Sequence, residues 1–238
     1  MPLNVLFLHG SADSPQVFNN IAALLRDRHH VHTPAFPPVT APLALTTDLP
    51  WLDAQMQQTG ARVLVAHSYG ALLALRWALA HPHALDALVL AEPIAWGIAR
   101  HLPDVAARLA ELDQACVVQF GLGAPEPPMQ WLVDYWNGQG FWAGLPPKVR
   151  AHLLAGVART HAEVASGGAD RTSIEEVGNL QVPLHLLAGE KTTAESLTVS
   201  RTLAAAAPRA QLTVIPGVGH QFLRSHAQTV VDVVEAGI

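Results

Sequence analysis

The chain has 238 residues, of which 50% are apolar and 14% are charged, and its formal net charge is −5 at pH 7. This length and apolar content suffice to bury the core of one α/β domain of ordinary size. The net negative charge, without a lysine- and arginine-rich stretch, argues against binding to nucleic acid or to an anionic membrane surface.

The cysteine content and the hydropathy pattern bear on the compartment. Cys116 is the single cysteine, so no disulfide can form within the chain. A strand-like run follows Met1 almost directly, without the charged region and cleavage site of a signal peptide. No stretch reaches the about 18 uninterrupted apolar residues of a membrane-spanning helix. We therefore expect a cytoplasmic protein with no membrane association.

Short apolar runs alternate with longer helical patterns along most of the chain, which predicts a mainly parallel sheet with helices on both faces. Several of the runs are nearly unbroken, as is typical of strands covered on both faces. The predicted strands are 4–8, 30–33, 62–66, 86–91, 183–188 and 211–215, and the predicted helices are 15–27, 46–58, 69–80, 195–206 and 224–236.

Residues 93–180 interrupt this alternation. They contain helical patterns near 103–114 and 147–165, the Gly/Pro-rich stretch GLGAPEPP and an aromatic cluster, and the run Ser166-Gly167-Gly168 predicts a loop near their end. We interpret this segment as a helical cap inserted into an α/β core formed by residues 1–92 and 181–238.

The motif AHSYG at residues 66–70 follows a predicted strand and precedes a predicted helix. A serine on such a sharp turn holds its hydroxyl above the sheet, and small residues two positions to either side let the strand and the helix pack closely. Ala66 and Gly70 occupy those positions here. The context predicts that Ser68 is a nucleophile; the alternative is an ordinary turn in which the serine caps the helix.

A nucleophilic serine needs a base, because its hydroxyl is a weak nucleophile at neutral pH. The stretch QLTVIPGVGHQF predicts a strand, a glycine-rich loop and then His220, the one histidine of 13 in such a setting ahead of the final helix. We predict that His220 is the base; the alternative is a loop histidine without a catalytic role.

The stretch VLFLHGSADS predicts a strand, His9-Gly10 and a loop that leads into a helix. A loop in this position can supply one backbone N–H of an oxyanion hole, and the residue after the nucleophile supplies the other. The predicted donors are therefore Tyr69 and Ser11, with Ala12 as the alternative to Ser11.

Through LHGS at 8–11, AHSYG at 66–70 and PGVGH at 216–220, the chain resembles the α/β-hydrolase superfamily over nearly its whole length. The resemblance implies the α/β-hydrolase fold without its two N-terminal strands, which leaves about six strands, with the cap inserted after the strand that ends near Glu92. The cap segment DYWNGQGFWAGLPPKVRAHL also resembles one found in bacterial members whose substrates are mostly unassigned.

The resemblance leaves the acid of the catalytic triad open. Family members place an aspartate three residues after the glycine that ends the penultimate strand, but this chain has Thr192 there, which cannot balance an imidazolium charge. A minority carry the acid after the strand that follows the nucleophile helix, where this chain has Glu92. Strand ends of this kind form the active-site rim of a parallel sheet. We predict Glu92, with Glu190 and Glu195 as alternatives.

The remaining feature is the aromatic cluster WLVDYWNGQGFW. Its members either pack within the cap or form an apolar pocket for the acyl or alcohol part of a substrate. The predicted substrate-binding residues are Trp131, Tyr135, Trp136 and Trp142.

Together these residues predict a serine esterase that cleaves a small-molecule carboxylic ester through an acyl-enzyme and needs no cofactor or metal. A thioesterase or another acyl-transfer hydrolase with the same triad is the first alternative. A non-catalytic small-molecule receptor on this fold is the second. The oligomeric state is left open.

Overall fold

A computed structural model describes residues 1–103, 105–111 and 123–237. Its centre is a parallel six-stranded sheet, which confirms the predicted fold class, and each strand boundary lies within one residue of its prediction. The strands are β1 (Asn4–Leu8), β2 (His30–His32), β3 (Val63–His67), β4 (Ala87–Ala91), β5 (Leu184–Gly189) and β6 (Ala210–Ile215). Their order across the sheet is β2-β1-β3-β4-β5-β6.

The apolar runs of the central strands bury side chains on both faces of the sheet, because successive side chains of a strand point to opposite sides. In β1, Leu6 and Leu8 belong to the core layer on one face, while Val5 and Phe7 belong to the layer on the other. Every residue of β3 and β4 is buried. Ser68 and Glu92, the predicted nucleophile and acid, therefore follow the two most enclosed strands.

Helices cover both faces, as the sequence predicts. The helices outside the segment between β4 and β5 are α1 (Asn19–Leu25), which follows a 3₁₀ turn at Pro15–Phe18, then α2 (Ala44–Thr59), α3 (Tyr69–Ala80), α9 (Ala194–Ala206) and α10 (Ala227–Gly237). Apolar side chains of α1 and α10 complete one core layer, and those of α2, α3 and α9 complete the other. Among the described residues, no helix is long and apolar enough to cross a membrane.

The segment between β4 and β5 is helical. It holds a 3₁₀ turn at Trp96–Ala99, a helical stretch over 105–111, α4 (Glu126–Asn137), α5 (Phe141–Gly144), α6 (Pro147–Ala155), α7 (Val157–Ala169) and α8 (Ile174–Gly178). The end of the helical pattern predicted near 103–114 and the first two residues of GLGAPEPP lie outside the described residues. The division of the chain into a core and a cap stays a prediction.

The loop predicted at Ser166-Gly167-Gly168 is wrong, because these residues form the last turns of α7. The Ser166 hydroxyl donates to the Ala162 carbonyl within the helix at 2.8 Å. A Cβ on Gly167 would lie 3.0–3.2 Å from the side chains of Ile94 and Trp96, so the glycine lets the helix pack closely there. Tertiary packing therefore overrides the weak helix propensity of serine and glycine.

The start of α3 packs closely against the end of β1 at Gly70. A Cβ on Gly70 would lie 2.5 Å from the His9 carbonyl oxygen and 2.6 Å from the Leu8 carbonyl oxygen. These atoms belong to the backbone and cannot move aside as a side chain would. Gly70 therefore allows the close approach of strand and helix that places Ser68.

We expect Gly70→Ala to lower the free energy of unfolding by at least about 1–3 kcal/mol, the usual cost of forcing extra volume into a packed site. Gly144→Ala is the matched control, since a Cβ there would meet no heavy atom within 4 Å. Urea denaturation of both variants measures the difference. Equal stability of the two variants would contradict the proposed close approach.

Candidate active site

Ser68 occupies the turn between β3 and α3 in a backbone conformation that L-residues rarely adopt, with φ 54° and ψ −115°. Backbone hydrogen bonds hold the turn: the Ser68 N–H donates to the Ala91 carbonyl at 2.9 Å, and the Ser68 carbonyl accepts from the Ala71 and Leu72 N–H groups, each at 3.1 Å. Such a conformation costs of order 1–3 kcal/mol and persists only where the surroundings enforce it. The turn holds the Ser68 side chain at the carboxyl edge of the sheet.

His220 lies in the loop between β6 and α10 and contacts both other candidate residues. Its Nε2 is 3.2 Å from Ser68 Oγ, and its Nδ1 is 2.5 Å from Glu92 Oε2. All three side chains are buried. The structure therefore brings together the predicted nucleophile, base and acid, although they are far apart in the sequence.

Glu92 directly follows β4 and is fully buried, with a positive φ of 46°. Its Oε1 accepts from the Gly189 N–H at 2.7 Å, and its Oε2 accepts from the Thr192 hydroxyl at 2.6 Å. Burial pushes the pKa of Glu92 upward, but the His220 charge and the hydrogen bonds from His220, Thr192 and Gly189 outweigh it, so the pKa is lowered. The carboxylate is therefore ionised at neutral pH.

The two alternative acids have other partners. Glu190 accepts from the Gly217 N–H at 2.8 Å, and Glu195 pairs with Arg108 at 2.9 Å. Thr192, at the usual acid position, binds the carboxylate of Glu92 instead of the histidine. The geometry therefore favours Glu92 over both alternatives.

The imidazole of His67 is a further contact of His220 that the sequence did not assign. Its Nε2 is 3.1 Å from the His220 carbonyl oxygen, which can only accept, so Nε2 carries the proton. Burial, helped by the His220 charge, lowers the pKa of His67 to about 3. His67 is therefore neutral and holds the loop that carries His220.

The predicted oxyanion donors belong to the residue after Ser68 and to the loop after β1. Tyr69 is the first residue of α3, and the first N–H groups of a helix have no partner within it. Ser11 and Ala12 both line the cavity that contains Ser68, and Ala12 has a positive φ of 57°. Ser11 and Ala12 thus both remain candidates for the second donor.

A cavity of about 540 Å³ opens at Ser68 and His220. Most of its wall is apolar, and most of that wall comes from the segment between β4 and β5. The apolar lining side chains are Ala12, Ile94, Trp96, Leu132, Val133, Trp136, Phe141, Leu145, Val149, Leu153 and Val164. Sequence reasoning missed most of these residues, because an apolar residue on a helix of this segment has the same pattern whether it faces the core or a cavity.

The members of the aromatic cluster have different surroundings. Trp136 lines the cavity, and its ring stacks on the His220 imidazole with the centroids 4.0 Å apart. Tyr135 stacks on Trp131 at 5.4 Å and lines a neighbouring cavity of about 560 Å³. Trp142 is buried and donates through Nε1 to Glu126 at 3.3 Å. Of the four predicted residues, Trp136 is therefore the one that lines the cavity containing Ser68.

Two charged side chains of the cavity wall are also absent from the sequence prediction. Asp13 and Arg224 both line the cavity and pair with each other at 3.3 Å.

In the part of the chain that the structure describes, no three His, Cys, Asp or Glu side chains form a group that could hold a metal ion.

A parallel sheet that holds a serine at a strand–helix turn, a histidine after the last strand and a carboxylate between them is the arrangement of α/β hydrolases. The sequence model described as the alpha/beta hydrolase family matches residues 5–233. The chain therefore belongs to the alpha/beta hydrolase family.

Solved structures share this fold. A hydrolase from Pseudomonas aeruginosa matches with a TM-score of 0.80 at 17% identity, over 99% of this chain and 89% of the other. A thermophilic esterase from Thermogutta terrifontis matches with a TM-score of 0.70 at 21% identity, over 99% and 89%. The enol-lactonase from Burkholderia xenovorans matches with a TM-score of 0.72 at 13% identity, over 100% and 91%. No match was found among curated proteins.

Proposed function

We propose that the protein is a serine hydrolase that cleaves small-molecule carboxylic esters through an acyl-enzyme. The observation that carries the proposal is the hydrogen-bonded series Glu92–His220–Ser68 at one end of an apolar cavity. In the proposal, Ser68 is the nucleophile, His220 the general base and Glu92 the acid that orients the imidazole.

The tautomer of His220 follows from its two neighbours. Glu92 is ionised and can only accept, so Nδ1 of the neutral imidazole carries the proton and Nε2 presents its lone pair to the Ser68 hydroxyl. This is the orientation in which Nε2 can take the Ser68 proton as Oγ attacks the ester carbonyl carbon.

The reaction then runs in two halves. The attack forms a tetrahedral adduct whose oxyanion is held by backbone N–H groups, those of Tyr69 and of Ser11 or Ala12. His220 gives its proton to the leaving alkoxide, and the alcohol departs from the acyl-enzyme. A water molecule then loses a proton to His220 and attacks the acyl carbon, and Ser68 takes that proton back as the acid is released. Glu92 stabilises the imidazolium in both halves.

The cavity supports a substrate with an apolar acyl or alcohol group. Its volume falls within the roughly 300–1,000 Å³ of small-molecule sites. The fold is shared with a protein named an esterase and with one named an enol-lactonase. The same three residues could act on a thioester, so an activity assay must show whether the preferred leaving group is an alcohol or a thiol.

Covalent labelling tests the nucleophile. A fluorophosphonate probe should add one adduct per chain at Ser68, because the hydroxyl attacks phosphorus as it would a carbonyl. Ser68→Ala should abolish both the labelling and the esterase activity, while Ser225→Ala should retain both. Mass spectrometry locates the adduct. An adduct elsewhere, or turnover that survives Ser68→Ala, would refute the assignment.

Substitution of each carboxylate tests the acid. Glu92→Gln keeps the shape of the side chain and removes its charge, so kcat should fall by about 10²–10⁴ in a folded variant. Glu190→Gln and Glu195→Gln serve as controls and should stay within about threefold of the parent, since these carboxylates have other partners. If either control variant lost its activity while Glu92→Gln stayed active, the acid would be the carboxylate removed in that control.

In the proposal, the cavity wall formed by the segment between β4 and β5 determines which acyl groups the enzyme prefers. Trp136→Ala should change the ranking of p-nitrophenyl esters of increasing acyl length by roughly tenfold, because each methylene in a pocket is worth about 1–3 kcal/mol. Trp131→Ala, on the same helix but outside the cavity lining, should keep the parental ranking. Assays of the parent protein with thioesters of the same acyl groups compare alcohol with thiol leaving groups. Identical rankings in both variants would show that the acyl group binds elsewhere.

A further inference from the structure

A buried group of charged side chains lies outside the Ser68, His220 and Glu92 set. Asp48 on α2 and Glu163 on α7 are 0% and 1% exposed, and Arg159 on α7 lies between them. Burial of an unpaired charge is costly, so two enclosed carboxyl groups beside one guanidinium call for an explanation.

One arm of this network ends at Tyr69. The Tyr69 hydroxyl donates to Asp48 Oδ2 at 2.7 Å, and Arg159 Nη2 donates to the same oxygen at 2.5 Å. Tyr69 immediately follows Ser68, and its backbone N–H is one proposed oxyanion donor. The position of this backbone is therefore tied to Arg159 through a single carboxylate oxygen.

The other arm ends at Glu163. Arg159 Nε is 2.8 Å from Glu163 Oε1. Burial raises the pKa of Glu163 to about 8, against the lowering effects of the Arg159 charge and of the Ser11 hydroxyl beside it. Glu163 therefore helps to enclose Arg159, while the tie from Arg159 to the proposed oxyanion hole runs through Asp48 and Tyr69.

The remaining contacts of Arg159 are also made within the protein. Its Nη1 donates to the Pro37 carbonyl at 2.6 Å, and its guanidinium carbon lies 4.6 Å from the centre of the Phe36 ring. The Phe36 ring in turn meets the Tyr69 ring edge-on at 5.7 Å. A planar guanidinium can satisfy such a set of partners at once, whereas a lysine ammonium cannot.

We propose that Arg159 is a positioning residue that fixes one of the two proposed oxyanion donors, the Tyr69 N–H, by holding Tyr69 through Asp48. The inference rests on the proposed function, since it requires an oxyanion to form at this place. It gives the segment between β4 and β5 a role in the chemical step that is separate from lining the cavity.

The consequence is a specific kinetic signature. Donors that are displaced from the oxyanion weaken the transition state and leave binding of the planar ester nearly unchanged. Loss of one oxyanion donor costs about 10²–10³ in kcat, so its displacement should cost less, about 10- to 100-fold. The affinity for a tetrahedral boronate adduct should fall by the same factor as kcat.

The experiment compares Arg159→Lys and Tyr69→Phe with the parent. For each protein we would measure kcat and KM with a p-nitrophenyl ester and the inhibition constant of butylboronic acid. We expect kcat to fall about 10- to 100-fold with KM within about threefold, and the boronate to bind correspondingly more weakly. The double variant should be little worse than the more severe single one, because both substitutions act through Asp48.

Arg62→Lys is the matched control. Arg62 also forms a two-armed contact with a carboxylate, Asp86, at 2.7 and 2.6 Å, but it precedes β3 at the end of the sheet away from Ser68. Its substitution should leave kcat, KM and the boronate constant unchanged. Tyr69→Phe removes a single hydroxyl and carries the test should Arg159→Lys fail to fold.

Unchanged kcat and boronate affinity in folded variants with lowered thermal stability would overturn the proposal and leave Arg159 a purely structural role. A raised KM at unchanged kcat would also overturn it, because Arg159 would then bind the substrate itself. Failure of the proposed function has a different signature, since Ser68 of the parent protein would then not react with a fluorophosphonate.

Discussion

The buried contact between Glu92 and His220 is the interaction on which the rest of the site depends. An enclosed carboxylate loses its hydration, a penalty of several kcal/mol unless other groups replace the water. Here the replacement comes from the imidazole, the Thr192 hydroxyl and the Gly189 N–H. These groups belong to β5, the loop after it and the loop after β6, so one carboxylate fixes the relative positions of three segments of the chain.

The sheet order explains how Glu92, the proposed acid, can act from the end of β4. The strand order β3-β4-β5 places the carboxyl ends of β4 and β5 side by side, next to the turn that carries Ser68. A glutamate at the end of β4 can therefore approach the same imidazole that an aspartate after β5 would approach. Thr192, at the position after β5 where other family members have the aspartate, donates a hydrogen bond to the Glu92 carboxylate.

The segment between β4 and β5 contributes to the site in two physically different ways. Its apolar side chains form most of the cavity wall, with Trp136 stacked on His220. Its helix α7 packs against α2 and α3 and places Arg159 beside Asp48. In the proposed mechanism, a change in this segment would therefore alter both the substrate range and the geometry around the oxyanion.

The sequence by itself determined the strands of the sheet and identified Ser68 and His220 as candidate site residues. It could do so because unbroken apolar runs and strand–turn–helix context are local signals. Tertiary structure decided the rest. The contact between Arg159 and Asp48 joins residues 111 apart, and Ser166-Gly167-Gly168 is helical because close packing overrides propensity. Only the orientation of α4 decides that Trp136 faces His220, while Trp131 does not line the cavity. Such long-range contacts have no local signature, since they depend on how separate elements pack.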